Sequence, residues 1–246
     1  MRWAMKIRTL TTTLDFDELN ELDADKQAYK AEIRANKTKV GYVPIPYREF
    51  FGKMHIEPEQ MDERIALAED IEREVLFIFA YWAIRADLDL SAEQLKAELK
   101  ERLYGVIESR TKADDYIKAH IDELVDQIID TTEKRDNEIV EDERLGVQSY
   151  WLSKDRAMII SENEANSIEN YVEYRQAKAQ GLTHKRWLTE LDNKVRDTHA
   201  EIEGKVIDID SLFLVGTSLM RFPHDVEYGA DAEEIINCRC ACRYEP

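Results

Sequence analysis

Gly204-Lys205-Val206-Ile207-Asp208-Ile209-Asp210-Ser211-Leu212-Phe213-Leu214-Val215 is the stretch where the character of the chain changes. Upstream, apolar residues recur at steps of three and four. Here β-branched and aromatic residues gather in two short runs, 206–209 and 212–215, separated by charged and small residues. Such runs suit a pleated, half-buried surface and predict short strands. Beyond them Phe222-Pro223-His224-Asp225 is a turn, and residues 235–244 suit a terminal strand or a tight hook. Helices first and strands late make an α+β chain: a helical N-terminal region, then a mixed C-terminal domain with late short strands.

Working back toward the N-terminus, a long helix is expected over about 149–180, with Gly181 as its left-handed stop. A shorter helix is expected over about 183–203, ended by Gly204. On that second helix Trp187, Leu191 and Val195 stand four apart as an apolar stripe, and Asp192, Arg196 and His199 share another face. Asp192 can then pair with Arg196 along the surface, with His199 a turn further on.

Residues 113–135 predict another helix, with Tyr116, Ile117, Ile121, Leu124, Ile128 and Ile129 on its inner side. Ser91-Ala92-Glu93-Gln94 has the form of an N-terminal capping box, and Leu95, Leu99, Leu103 and Ile107 follow it at helical spacing. From Pro58 a helical pattern runs through Met61, Ile65, Ile71, Val75, Ile78, Phe79 and Trp82. Helices this charged gain most of their stability from packing, so they belong in a bundle or against a partner.

Before Pro58, residues 18–39 permit helix. Residues 41–52 carry Pro44 and Pro46, which force extended geometry on their predecessors. That aromatic segment is either an arm that docks elsewhere or a loop anchored on the protein's own core. The division that follows is an arm with a short helix over 1–57, a helical region over 58–146, and a C-terminal domain over 147–246. The soft boundary lies in the charged break at 141–146.

The formal net charge of −18 disfavours global attraction to a phosphate backbone, although a local cluster such as Lys178, Lys185, Arg186 and Lys194 permits transient DNA contact. The strongest apolar run, Val75 to Ile84, is about half of what a membrane span requires, so no membrane partner is expected. The N-terminus lacks the apolar core of a signal peptide. All three cysteines, Cys238, Cys240 and Cys242, sit within five residues of one another, which is no disulfide framework. In a continuous strand the three would face one side, with Asn237, Arg239 and Arg243 opposite. Thiolates so spaced can share a zinc ion if His199 or His224 folds in to complete the ligands. Packing as small buried hydrophobes is the preferred reading, with a redox role as the remaining alternative.

Several residues taken together resemble the phage Mu F-like head morphogenesis family, which includes phage minor head proteins. They are Arg156-Ala157, Asn163-Glu164, Gly181, Trp187, Asp192, Val195-Arg196-Asp197-Thr198-His199, Gly204, Phe213, Phe222-Pro223-His224-Asp225 and Glu234-Ile235-Ile236-Asn237-Cys238-Arg239-Cys240. The resemblance covers about 150–245. It implies a minor head protein that associates with the portal, enters the head in few copies, and takes part in DNA packaging or genome ejection. It also implies scaffold or major capsid protein as further partners, and a place inside the virion head near the portal vertex after assembly in the host cytoplasm. One departure stands out: the family's turn usually carries glycine where this chain has His224, which argues against unusual backbone geometry there. Cys242 lies outside the shared motif.

The alternative is an enzyme. Glu164, Asp192, Arg196, His199, Asp225 and Arg239 offer an acid, a base and cationic clamps, enough for a nuclease or a nucleotidyl- or ADP-ribosyl-transferase-like activity on a phosphate-containing substrate. The same residues can instead form a buried network that locks helix, turn and hook together. Since no glycine-rich phosphate loop, paired-histidine motif or nucleophile elbow accompanies them, the structural reading is preferred, with no cofactor beyond the zinc option.

Overall fold

The computed structural model describes residues 44–246. The expectations for 18–39 and for the first residues of the 41–52 segment lie outside the described residues. The remainder of that segment turns into helix α1 (Tyr47–Phe51), and Tyr47, Phe50, Phe51 and Met54 are buried. Three aromatic rings beside one another are too apolar to leave in water, so this part anchors on the protein's own core rather than reaching out as an arm.

Four long helices carry the architecture: α2 (Pro58–Ala83), α3 (Ala92–Glu108), α4 (Asp115–Lys134) and, after the short α5 (Asp136–Arg144) and a 3-10 turn (Tyr150–Leu152), α6 (Lys154–Ala179). Leu67, Ile71, Val75, Ile78 and Trp82 form the buried stripe of α2, and Leu95, Leu99, Leu103 and Ile107 that of α3. The Ser91 box is closed: the Ser91 hydroxyl accepts from the Gln94 N–H at 3.2 Å, and the Gln94 side chain accepts from the Ser91 N–H at 2.8 Å. Asp114 caps α4 and Ser153 caps α6 without a reciprocal box, their side chains accepting from the N–H groups of Ile117 and Arg156. α6 ends at Gly181, whose φ of +76° is the left-handed stop expected of it. None of the described helices is long and apolar enough to cross a membrane.

The packing of α6 decides the layout. Its most extensive interface is with α2, so the helical region and the C-terminal part share a continuous apolar cluster. The strands follow α6, and the last of them packs against it. β1 (His184–Leu188) is the centre of an antiparallel sheet of order β2-β1-β5, between β2 (Val206–Asp208) and β5 (Ala241–Glu245). His184 pairs with both Asp208 and Glu245, and Trp187 lies opposite Cys242. β3 (Phe213–Val215) and β4 (Ser218–Met220) make a two-residue hairpin, with Gly216 at φ +58°. Two single turns complete the fold, α7 (Asp197–Ala200) and α8 (Ala232–Ile235).

The helix expected over 183–203 is therefore replaced by strand β1, a loop and the single turn α7. Period-two burial is present in β1, but one of its two inward residues is Lys185, fully buried like Trp187, so the alternation is hidden from a hydrophobic scan. The four-residue spacing of Trp187, Leu191 and Val195 is coincidental. Leu191 is 69% exposed and takes a left-handed backbone in the loop. The terminal segment is likewise a turn followed by a strand rather than one strand, so Cys238 and Cys240 precede β5 and only Cys242 belongs to it.

Candidate functional site

The residues singled out by sequence converge where the chain's last turn meets α6. One face of α6 is a buried polar stripe, with Asn163, Asn166, Ser167 and Asn170 at helical spacing. Asn166 donates to the Cys238 carbonyl (3.1 Å), Asn170 to the Pro223 carbonyl (3.1 Å), and Ser167 to the His224 carbonyl (3.4 Å). Asn163 accepts from the Asn237 N–H at 2.6 Å. These amides satisfy the backbone of two turns that the strands leave unpaired.

Arg64, fully buried on α2, closes the stripe from behind. Its Nε donates to Asn166 Oδ1 (3.1 Å), one Nη to Asn170 Oδ1 (3.2 Å), and the other to Glu173 (2.6 Å). With its oxygen held by Arg64, each asparagine presents its NH₂ to a carbonyl in the C-terminal turns. A three-layer relay runs α2, α6, terminal turns. The sequence reading missed Arg64, Asn166 and Asn170. Asn166 and Asn170, four apart on one face of the helix, were the available signal.

His224 and Asn237 have φ of +69° and +59°. The expectation that His224 implies ordinary geometry at the family's glycine position is thus overturned: the left-handed backbone is kept, at a cost of about 1–2 kcal/mol for a residue with a Cβ. The imidazole offsets it, because Nε2 donates to the Cys238 carbonyl at 2.7 Å in a buried setting. Asp225, also fully buried, accepts from the Arg221 N–H (2.9 Å) and from its guanidinium (2.8 and 3.1 Å).

A second set holds the hook from the strand side. Arg239 makes a double hydrogen bond to Asp192 (2.9 and 3.0 Å) and lies 3.6 Å from Glu190, whose carboxyl burial pushes up to about 7. Arg196 donates to the Ile236 carbonyl. Asp192 and Arg196 therefore serve different partners and do not pair along a helix, because the loop separates them. His199, on α7, is buried edge-on to Trp187, and Trp187 in turn meets Phe213 edge-on at 5.1 Å. His199 Nε2 faces Glu234 at 2.9 Å, and its Nδ1 faces the sulfurs of Cys240 (3.3 Å) and Cys238 (3.6 Å). Burial pushes the Cys238 thiol up, but the neighbouring Cys240 thiol and the imidazoles of His199 and His224 bring it well below its ordinary value; Cys240 is correspondingly raised. Gly204, at φ +70°, returns the chain to β1, its N–H donating to the Trp187 carbonyl at 2.9 Å.

Two predicted residues lie elsewhere. Arg156 is buried at the start of α6, donating to Thr132, to the Trp151 carbonyl and to the Ile128 carbonyl. Glu164 pairs with His120 of α4 at 2.6 Å. The six groups proposed for acid, base and clamp roles are thus distributed over separate pairs, each already matched, rather than around one cleft. The described cleft of about 370 Å³ between α2 and α3, lined by Asp70, Arg73, Glu74 and Arg102 among others, includes none of them. Of the basic cluster, Lys185 is buried and donates to the carbonyls of Ile209 and Ser211, Lys178 pairs with Asp210, and Arg186 with Glu245.

The model of the family described as Phage Mu protein F like protein matches residues 90–243. An 89-residue stretch is 33% identical to the NAD(+)--arginine ADP-ribosyltransferase EFV of Enterococcus faecalis. The match covers 35% of this chain and only 18% of that protein's length. No solved structure matches.

Proposed function

This chain belongs to the phage Mu protein F like family of head morphogenesis proteins, and from that premise we propose that it acts as a minor head protein bound at the portal vertex. The observation that supports this most is the extent of the family match, which takes in α3 to α5 together with the C-terminal turns. α6 joins these parts through one core. The polar relay makes the C-terminal part a rigid body, suited to holding its shape inside a filled head while DNA is packaged or ejected. Contacts with the portal, and with scaffold or capsid protein, fall to the acidic helical surface. Residues 47–54 are spent on the protein's own core, so a deletion that tests the N-terminal segment stops at residue 43.

Co-expression with the portal protein of the same phage, followed by light scattering, tests the reading. A complex of defined stoichiometry is the expected result; a persistently free monomer would overturn portal association.

The transferase relative motivates a second reading, arginine modification using NAD. It is placed second because the shared stretch is a small part of that enzyme and the acid and base groups here are paired off. Turnover of NAD by the full chain, lost in Arg196→Ala and His199→Ala variants that still fold, would put it first. Direct DNA contact ranks below both, since three of the four cations are already engaged; retention on DNA at low salt that falls steeply with added salt would restore it.

A further inference from the structure

Three ligand-type atoms lie together under α7: His199 Nδ1 and the Sγ atoms of Cys238 and Cys240. All three residues are buried, and the atoms lie within 4.8 Å of one another. Among the described residues this is the one grouping of its kind. We propose that it is a structural zinc site, which locks the terminal hook to α7.

The geometry carries the inference. Ligands of a tetrahedral zinc ion at ordinary bond lengths place nitrogen and sulfur about 3.5 Å apart along each edge. The two nitrogen–sulfur separations here are 3.3 and 3.6 Å. The histidine is oriented as zinc-bound histidines are: Nε2 donates to Glu234 at 2.9 Å, which leaves the Nδ1 lone pair facing the sulfurs. Glu234 is itself fixed by the Thr198 hydroxyl at 2.8 Å. A Cβ at Gly216 would stand 2.6 Å from the Glu234 carboxylate, so the hairpin closes on this carboxylate only because glycine is there.

His224 supplies the fourth ligand. Its Nε2 bears the hydrogen donated to the Cys238 carbonyl, so Nδ1 carries a lone pair, and that nitrogen is buried with no hydrogen-bond partner. That nitrogen lies outside the 4.8 Å grouping, so the ring must turn toward the two sulfurs to complete the shell. Charge balance favours the arrangement. On binding, the two thiols release two protons to solvent, and two thiolates with two neutral imidazoles then exactly neutralise a divalent cation. A neutral cluster is the form of metal site that burial penalises least. Cys242, opposite Trp187 in β5, takes no part.

The test uses the full chain, prepared with reductant and without chelator. Elemental analysis should find about one zinc ion per chain, falling below about a tenth of an ion in the Cys238→Ser/Cys240→Ser double variant. Because that variant can fail to fold, X-ray absorption on the unaltered protein is the second measurement, with two sulfur and two nitrogen neighbours expected. His224→Asn should replace one nitrogen by an oxygen donor and weaken binding in competition with a chelator. Zinc-free protein that takes up no zinc on addition, a Cys238–Cys240 disulfide in the reduced preparation, or a shell without sulfur would each overturn the site. A two-sulfur, one-histidine shell would overturn the role of His224. None of these readouts depends on portal binding.

Discussion

The helices over 58–144 and the turns over 189–240 are stabilised in opposite ways. In the first region, apolar stripes on α2, α3 and α4 interlock, and, with Arg64 the main exception, most polar groups stay near the surface as caps and ion pairs such as Lys96 with Asp126 and Asp130. In the second, there is little regular structure to pair the backbone, and the buried side chains of Asn163, Asn166, Asn170 and His224 do it instead, while Arg239 ties the hook to the Asp192 carboxylate. Apolar packing is tolerant of substitution, whereas a buried polar relay is strongly coupled, because losing one member leaves others desolvated and unpaired.

The sharpest way to break this comparison is Arg64→Ala. It leaves Asn166, Asn170 and Glu173 without their buried donor, and unfolding in denaturant should show a loss of about 3–5 kcal/mol. Arg64→Met should not restore it if the relay, rather than volume, is what matters. Leu99→Ala, an apolar cavity at a fully buried position in α3, should cost less, about 2–4 kcal/mol. A larger loss for Leu99→Ala than for Arg64→Ala would reverse the comparison.

Glu169 of α6 sharpens it through pH. Burial raises its carboxyl from an ordinary 4.5 to about 7, only partly countered by Arg64. Between those two values the folded chain keeps a proton that the unfolded chain has released. This contribution therefore makes stability fall as pH rises through that window, then level off, by roughly 3 kcal/mol at most. Glu169→Gln should stabilise the protein at pH 8 and lessen the slope of its pH profile between 5 and 7, with Glu190 contributing to the slope that remains; an unchanged profile would remove Glu169 as a cause. Gly216→Ala should cost about 1–2 kcal/mol from its left-handed backbone alone, with more if Glu234 cannot move aside. Ser91→Ala, which removes one exposed cap in the tolerant region, should cost only about 1 kcal/mol by thermal unfolding.

The same contrast explains what could be read before the fold was known. The stripes Leu95-Leu99-Leu103-Ile107 and Ile117-Ile121-Leu124-Ile128, the Ser91 box and the Gly181 stop are local signals, each set by residues within a turn or two of one another, and the chain alone determined them. The late strands, the α+β class and the residues of the terminal motif belong with them. Only the tertiary structure decided that residues 184–188 are a strand. Its inner face needs Lys185, whose charge is tolerable only because the carbonyls of Ile209 and Ser211, distant in sequence, receive it. Only the tertiary structure, too, placed Arg64 behind Asn166 and Asn170, and His199 against Cys238 and Cys240. Periodicity records what a segment buries; which polar partner awaits it there depends on chain far along the sequence, 24 residues for Lys185 and Ile209 and 102 for Arg64 and Asn166.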